Sequence, residues 1–570
     1  MPKVTIDGKD FEAQQGQTVI QVALENGIDI PHFCWHPALT VAGNCRMCLV
    51  DVEKIPKLSI ACSTTVTEGM VVHTQNEKSL KGREDVMEFL LINHPLDCPI
   101  CDEAGQCKLQ DYAFNHSRGI SRFEEEKVHK DKRVPFGPNV LFDAERCISC
   151  SRCIRFGQEI ADQPVLTFVD RGDHVTIEPY PGMQLDNPVS MNVIDICPVG
   201  ALTSRDFRFK ARAWDMSFTE TICPDCARGC NIRAGVRDNE ILRLEPRPNP
   251  NVNDFWMCDM GRLETYPPVN AETRISGAWS RQSGKLISLE PDAAAAMIAI
   301  ALKKYKPEEI ACIASPFATI EDNFAFLEVA KLKTKNIGYF PHSVGEDQKL
   351  LIRADRTPNS YGLKLLGVNE FGSEFTEALR TGKIKAIYAL EDDFLSRINL
   401  PFDKVVFFGC HATNESRTTE RADVILPASA WAEKEGVFVN FEGWAQKLRP
   451  AVETSHHVRN LDRMNQSRLD RFASKFDRWA KGRKVDAIES WQLAEMVGLH
   501  LGMKSNHLYT EDVFEKAALS VTGLKGLDYE KIGSQGHPVS GVDKTIKISY
   551  YREVYQNDTQ EHIEVMMQND

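Results

Sequence analysis

The chain has 570 residues, 42% of them hydrophobic and 26% charged, an ordinary balance for a globular protein that, at roughly 150 residues per domain, suggests three or four domains. Its net charge of −13 argues against a general nucleic-acid binder, because phosphate attraction needs clustered positive charge. The longest uncharged run, 30–45, carries two prolines and two histidines and is too short and too polar to cross a bilayer.

The opening MPKVTIDGKDF shows neither an apolar signal core nor an Arg/Ser-rich transit segment, so a reducing compartment is expected. VTIDGKDFEA predicts a hairpin turning at Asp7-Gly8, and TVIQVALENG a helix ending at Gly27, inside a β-rich unit of about eighty residues. Of 17 cysteines, 15 lie between Cys34 and Cys258; in a reducing compartment such clustering reads as metal ligation rather than a disulfide framework. Cys34, Cys45, Cys48 and Cys62 are spaced C-x10-C-x2-C-x13-C. Two thiolates three apart can grip one edge of a metal–sulfur core and distant ones complete it, the logic of plant-type [2Fe–2S] sites. A four-cysteine zinc site is the alternative, but it usually shows two close pairs and only one is present.

From Ser79 to Asn93 the pattern turns helical, with Val86, Leu90 and His94 at four-residue spacing. Cys98, Cys101 and Cys107 form C-x2-C-x5-C, one ligand short, and His94 is the candidate fourth. The alternative makes His94 a helix-end residue continuing the Val86–Leu90 face. An imidazole in place of a thiolate removes one negative charge and should raise a cluster's potential. Residues 117–133 are charge-rich, without apolar periodicity, and read as a surface connection.

Cys147, Cys150 and Cys153 match the first three ligands of the bacterial C-x2-C-x2-C-x3-C-P run, whose fourth position here is Gly157. Cys197-Pro198 ends a second copy in which Asn187, Ser190 and Val193 stand at the other ligand positions. The pattern is a two-cluster ferredoxin with one cluster erased, Cys197 completing the site begun by Cys147. Cys223, Cys226, Cys230 and Cys258 read C-x2-C-x3-C-x27-C, a fourth set for which zinc competes with iron–sulfur. Arg46, Arg146, Arg152 and Arg155 lie beside these cysteines, either favouring reduced clusters or simply solvated and salt-bridged.

A compact unit closes at Tyr-Pro-Pro, 266–268. Beyond it, helices are predicted at Asp292–Lys304 and, with an amphipathic pattern, Glu321–Lys333; strands at Glu309–Ser315, Ile384–Leu390, Lys404–Gly409 and Asp423–Leu426. That alternation implies a parallel sheet covered on both faces. Cys312 and Cys410 read as buried apolar thiols. After about Leu461 the chain is polar, with one good helix at Ala487–Leu501. No two glycines are separated by a single residue, so G-x-G-x-x-G cannot occur, and no G-x-x-x-x-G-K-[ST] is present. A chain of clusters without a hydride-handling cofactor must exchange electrons with other proteins.

NHPLDCPICDEAGQCKLQD, RCISCSRCIRF, CPVGALTSRDFRFKARAWD and WMCDMGRLETY resemble the large iron–sulfur subunit family of bacterial NADH:quinone oxidoreductase, respiratory complex I, densely over 1–265. ADVILPASAWAEKEGVFVNFEGWAQ at 422–446 is similar to a segment of the molybdopterin oxidoreductase superfamily. The resemblance implies a multidomain α+β then α/β chain. An N-terminal β-grasp [2Fe–2S] ferredoxin domain (1–78) would precede a helical [4Fe–4S] domain with mixed histidine and cysteine ligation (79–118). A ferredoxin-like one-cluster [4Fe–4S] domain (119–215) and a [4Fe–4S] domain of the Mo/W bis-MGD type (216–272) would follow. A shortened molybdopterin-oxidoreductase-like α/β domain with a C-terminal tail (273–570) would end it.

The same resemblance implies one [2Fe–2S] cluster on Cys34, Cys45, Cys48 and Cys62, and three [4Fe–4S] clusters. These would sit on His94, Cys98, Cys101 and Cys107; on Cys147, Cys150, Cys153 and Cys197; and, off the main route, on Cys223, Cys226, Cys230 and Cys258. Electrons would arrive from NADH through the NADH/FMN-binding flavoprotein subunit. They would pass the binuclear, the all-cysteine and then the histidine-ligated cluster, and leave through the next iron–sulfur subunits toward quinone. The chain would sit peripherally on the cytoplasmic side of the bacterial inner membrane, touching the membrane only through its complex, with no nucleic-acid partner and no substrate active site of its own. No molybdopterin is expected: the C-terminal part is short for a molybdenum-enzyme relative, and Trp444 stands where the related segment usually reads Glu-Gly-Arg. The competing reading is a molybdenum or tungsten NAD-linked formate dehydrogenase, which needs a metal-binding cysteine or selenocysteine. An iron hydrogenase would need more cysteines after Cys258, and a structural zinc scaffold is the plainest alternative.

Overall fold

The computed structural model describes residues 1–456, 482–505, 507–542, 544, 546 and 547, so part of the polar end expected after Leu461 lies outside the described residues. Two compact units divide the described chain, Met1–Met216 and Ser217–Lys547.

The first unit begins with the expected hairpin, Lys3–Ile6 against Lys9–Glu12. Its turn residues Asp7 and Gly8 have φ of 47° and 79°, the left-handed pair that matches strand twist in two-residue hairpins. These strands edge a five-stranded sheet that continues through Met70–His73 and Leu49–Val52 to Ser59–Ile60. Lys3–Ile6 pairs parallel with Met70–His73 and the other pairings are antiparallel. Helix Val19–Glu25 buries Val19, Ile20, Val22 and Ala23 and ends before Gly27, whose φ of 74° stops it.

Helix Glu77–Ile92 starts at Asn76, whose side chain accepts from Ser79 N at 3.0 Å. Its buried residues are Ser79, Arg83 and Met87, not the Val86–Leu90 face of the sequence reading, which is half-buried. Hydropathy assigns Arg83 to solvent, but its Nε and Nη2 donate to Leu49 O at 3.2 and 3.1 Å, anchoring the helix to the sheet. The helix stops at Ile92, and His94 lies beyond it. The segment 117–133 is irregular, as expected, yet it is stitched along this helix. Arg118 pairs with Glu84 and Asp85, Arg122 with Glu88, and Lys127 Nζ donates to the terminal carbonyls of Leu91 and Ile92.

In the second unit an antiparallel meander, Ser217–Ile222, Asn231–Arg237 and Glu240–Pro246, precedes a seven-stranded sheet. Its strands run Lys285–Leu289, Ala278–Gln282, Val424–Pro427, Phe407–Ala412, Ala386–Ala389, Ile310–Ile313, Ile337–Gly338, the last five mutually parallel. One face is covered by Pro291–Lys304, Ile320–Lys331 and Ser490–His500 through Ile298, Phe326, Val329, Trp491 and Val497; the other by Phe375, Leu379, Phe394 and Phe402. Both faces of a parallel sheet are thus apolar, as its crossover helices require. A second C-terminal helix, Thr510–Ser520, was not expected.

Helix Ile320–Lys331 is not amphipathic. Glu321, Asp322 and Asn323 are buried with its apolar residues, each supplied with partners. Lys434 Nζ donates to Asp322 at 2.7 Å, and Asn323 Nδ2 donates to Ser315 O and Thr319 O, each at 2.9 Å. Glu321 accepts from Val437 N at 2.9 Å and Tyr529 Oη at 2.8 Å, while burial pushes its carboxyl up from 4.5 to about 8. A group whose folded-state value is raised binds its proton more tightly in the folded protein, so stability falls as pH rises from about 4.5 to about 8. Glu321→Gln, which stays neutral, is expected to abolish that decline. Its gain above pH 8 is on the order of 5 kcal/mol, read as denaturation midpoints of both proteins against pH. Among the described residues no helix is long and apolar enough to cross a membrane.

Candidate iron–sulfur sites

The Cys34 set sits on loops around the five-stranded sheet. Cys34 N donates to Cys45 Sγ at 3.4 Å, and Ala61 N donates to Cys48 O at 2.9 Å, setting Cys62 beside Cys48. Arg46, between Cys45 and Cys48, has φ of 62°, a left-handed turn that an arginine adopts only where its surroundings impose it. The sulfurs associate in pairs: a hydrogen bond from Cys45 holds Cys34 down to about 5, and one from Cys48 lowers Cys62. Cys34, Cys48 and Cys62 are buried and Cys45 is partly exposed.

His94, Cys98, Cys101 and Cys107 line one cavity of about 480 Å³ with Arg146 and Gly200. Cys98 opens a 3-10 turn with Pro99, and Cys107 stands at the start of helix Lys108–His116. Burial draws His94 down to about 4, so its imidazole is neutral near pH 7, the form that ligates metals. Burial also raises the Cys101 and Cys107 thiols. Arg146, placed beside the cysteines by the sequence, is buried and donates to Asp97 Oδ2 through Nη2 at 2.8 Å.

Cys147, Cys150 and Cys153 lie on a loop in which Ser149 and Ser151, between the cysteines, have φ of 53° and 64°, a left-handed turn at each. Cys153 sits in the first turn of helix Arg152–Glu159, and Cys197 follows helix Asn192–Asp195. The four sulfurs lie within mutual electrostatic reach, Cys153 feeling Cys150, Cys147 and Cys197, while burial pushes Cys147 up to about 12. At the erased second site Ser190 and Val193 are fully buried, their places filled by packing.

In the second unit Cys223 N donates to Cys230 O at 2.9 Å, and Gly261 N to Cys258 Sγ at 3.3 Å. Cys223, Cys226, Cys230 and Cys258 are all buried, and burial raises every thiol, Cys258 to about 12. Asp225, between the first two cysteines, is paired with Arg356. Cys312 and Cys410 lie inside the large sheet, 0% and 1% exposed, each raised to about 12 by burial.

Two glycines mark space reserved beside sulfur. A Cβ on Gly200 would lie 2.1 Å from Cys101 Sγ, and one on Gly261 would lie 2.9 Å from Cys223 Sγ and 3.3 Å from Cys258 Sγ. Sequence reasoning passed over both, although Gly200 follows Cys197 by three residues and Gly261 follows Cys258 by three. Among the described residues no three His, Cys, Asp or Glu side chains converge on a single-ion position; the His94 set instead borders the cavity described above. The donors fit iron–sulfur cores. Fifteen thiols and one neutral imidazole fall into four groups of four, and the thiols that burial raises, those of the Cys147 and Cys223 sets with Cys101 and Cys107, ionise only beside compensating positive charge, which a cluster's iron would provide.

Family models match the chain in five segments. They are a 2Fe-2S iron-sulfur cluster binding domain (2–77), the NADH-ubiquinone oxidoreductase-G iron-sulfur binding region (83–122), the NADH-quinone oxidoreductase subunit 3 ferredoxin-like domain (137–203), the molybdopterin oxidoreductase Fe4S4 domain (216–263) and molybdopterin oxidoreductase (363–461). The G-type subunit of NADH-quinone oxidoreductase from Rickettsia bellii is 43% identical over 353 residues, 61% of this chain and 51% of that one. The 78 kDa mitochondrial subunit of NADH-ubiquinone oxidoreductase from Neurospora crassa is 40% identical over 341 residues, 59% of this chain and 47% of that one. The chain thus spans about half the length of these two relatives. The G-type subunit from Rickettsia felis is 34% identical over 575 residues, 79% of this chain and 85% of that one. On that match, with cluster-binding models over each of the four cysteine sets, the chain belongs to the family of G-type subunits of NADH-quinone oxidoreductase.

Proposed function

We propose that the chain is the iron–sulfur electron carrier of an NADH:quinone oxidoreductase, taking electrons singly from the NADH- and FMN-binding flavoprotein subunit and passing them toward quinone through further iron–sulfur subunits. The observation that carries this reading is a succession of contacts among three ligand sets of the first unit. Arg155 on the Cys153 helix donates to Cys34 O at 2.5 Å, and Asn44 Nδ2 donates to Ser149 O at 3.1 Å, joining the Cys34 and Cys147 sets. Gly200, just past Cys197, then lies against Cys101 Sγ, joining the Cys147 and His94 sets. The spatial order, Cys34 set to Cys147 set to His94 set, differs from the order in the chain and supports a relay.

Cys34, Cys45, Cys48 and Cys62 would hold a [2Fe–2S] cluster, and the His94, Cys147 and Cys223 sets one [4Fe–4S] cluster each; such cores take up and release single electrons. The chain's own part is to supply thiolates and one neutral imidazole, exclude water, and hold neighbouring sets together. We assign five domains, 1–78, 79–118, 119–215, 216–272 and 273–570, the first a β-grasp ferredoxin type and the last molybdopterin-oxidoreductase-like. The fourth set, carried by the other compact unit, is left off the route. A chain without molybdopterin is supported by Trp444, which is 1% exposed with Nε1 donating to Gln535 O at 2.9 Å; an aromatic anchor fills the position. Cys312, the cysteine after Cys258 that a formate dehydrogenase reading would use, is sealed in the sheet. Placement on the cytoplasmic side of the membrane, through partners rather than lipid, belongs to the same proposal.

Low-temperature EPR of the dithionite-reduced, anaerobically purified chain with iron quantified tests the reading. One binuclear and three cubane signals with about 14 iron atoms per chain are expected; stoichiometric zinc, molybdenum or tungsten, or iron-free protein, overturns it. His94→Cys should retain iron and lower the potential of its cluster, because the added thiolate charge disfavours reduction. An unchanged potential takes His94 off the ligand set.

A further inference from the structure

We infer that Arg155 is a cation shared by two neighbouring cluster sites, a positioning residue that clamps the Cys34 loop to the Cys147 set and raises the reduction potential at both. The inference rests on the iron–sulfur reading above. Arg155 lies on helix Arg152–Glu159 and is 8% exposed. Its Nη2 donates to Cys34 O at 2.5 Å, its Nη1 to Thr40 O, and its Nε to Ser151 Oγ at 3.1 Å. One guanidinium thus spans a ligand of the binuclear set and the residue between two ligands of the cubane set. All three nitrogens end on neutral oxygens, so no bonded carboxylate cancels the charge. Glu159, whose field also reaches Arg155, is engaged with Thr40 N at 2.8 Å and Thr40 Oγ1 at 2.5 Å. Burial disfavours the Arg155 cation, and Cys150 and Cys34, one sulfur from each set, oppose that effect.

Arg152 repeats the bridge one turn earlier. Fully buried, it donates through Nη2 to Trp35 O at 2.7 Å and through Nη1 to Ile196 O at 2.9 Å, carbonyls adjoining Cys34 and Cys197. Reduction adds negative charge to a cluster, and a cation in the same water-poor space favours the reduced form. A cation touching two sites does so for both. A clamp alone would hold the sites together without moving their potentials, and that difference separates the two roles.

Redox-potentiometric EPR of the full-length, anaerobically purified protein with Arg155→Gln and, separately, Arg155→Lys decides it. With both clusters retained, Arg155→Gln should lower both midpoint potentials together, and Arg155→Lys, which keeps the charge, should lower them by less than half as much. An Arg155→Gln protein in which either potential is unmoved overturns the inference, as does a lysine variant shifted as far as the glutamine one. Should Arg155→Gln lose its iron, Glu159→Gln, on the exposed carboxylate opposing Arg155, must raise both potentials; unshifted values there overturn the inference too. Wild-type protein lacking either cluster signal would overturn the functional reading and this inference with it, whereas intact wild-type signals with unshifted variants remove only the role of Arg155.

Discussion

Cys197→Ser is expected to remove one cubane signal and to reduce electron passage through the chain by more than about 100-fold, since even changes to groups behind the ligands cost 10- to 100-fold. Cys197 is the ligand its set draws from farthest along the chain. It is 7% exposed, sits at the end of helix Asn192–Asp195, and its Sγ donates to Val199 O at 2.9 Å. A serine oxygen is harder, shorter and far less acidic than a thiol, so the set would fall to three ligands. On the proposed route the consequence is disproportionate, because the Cys147 set would be the middle member of the series. If the proposed route holds, NADH-driven reduction of the assembled complex followed by rapid mixing should reach the binuclear cluster of the Cys197→Ser protein and stop, leaving the His94-set cluster oxidised. Full reduction of that cluster at the wild-type rate would remove Cys197 from the ligands, or the Cys147 set from the route.

The second large effect concerns a residue with no chemistry of its own. Gly200→Ala places a Cβ 2.1 Å from Cys101 Sγ and 2.9 Å from Glu103 Cβ, separations that real atoms do not share. Overpacking of this kind ordinarily costs about 1–3 kcal/mol through shifted neighbours. Here the neighbour that must shift is a candidate ligand, and Arg212 Nη1, donating to Cys101 O at 2.7 Å, restrains its backbone. The expected result is loss of the His94-set signal with the binuclear signal kept and, on the proposed route, loss of quinone reduction by the assembled complex. Gly372→Ala is the control: its Cβ meets nothing within 4 Å and its φ of −92° suits any residue. Retention of all four clusters in Gly200→Ala would show that the Cys101 sulfur does not ligate from this position.

Candidate ligand groups could be proposed without coordinates because ligand spacing is local. Spacings such as C-x2-C-x2-C are set by how few residues a loop needs to aim its thiols at one core, and the Asp7-Gly8 hairpin by the left-handed freedom of two adjacent positions. The parallel sheet was readable for a similar reason, since strands buried on both faces must be apolar throughout. The readings that failed concern side chains whose hydropathy misstates their place. The stripe Ser79, Arg83, Met87 replaced the Val86–Leu90 face, with Arg83 buried for its bonds to Leu49 O. Helix Ile320–Lys331 looked half-polar because Glu321, Asp322 and Asn323 carry charges or amides; the partners that bury the two carboxylates, Tyr529 and Lys434, come from more than a hundred residues away.

By itself the amino-acid order determined which side chains are candidate ligands and how they group in fours, because ligand spacing is a property of a short stretch of chain. Spacing left open which groups adjoin; the resemblance implied an order, and only the tertiary structure supplied contacts between the groups. The Cys147 set lies between two sets that precede it in sequence, joined on one side by Arg155 and Asn44 and on the other by Gly200. Adjacency of that kind comes from packing segments about a hundred residues apart, through bonds to backbone carbonyls and through a missing Cβ, neither of which leaves a periodic trace in a sequence.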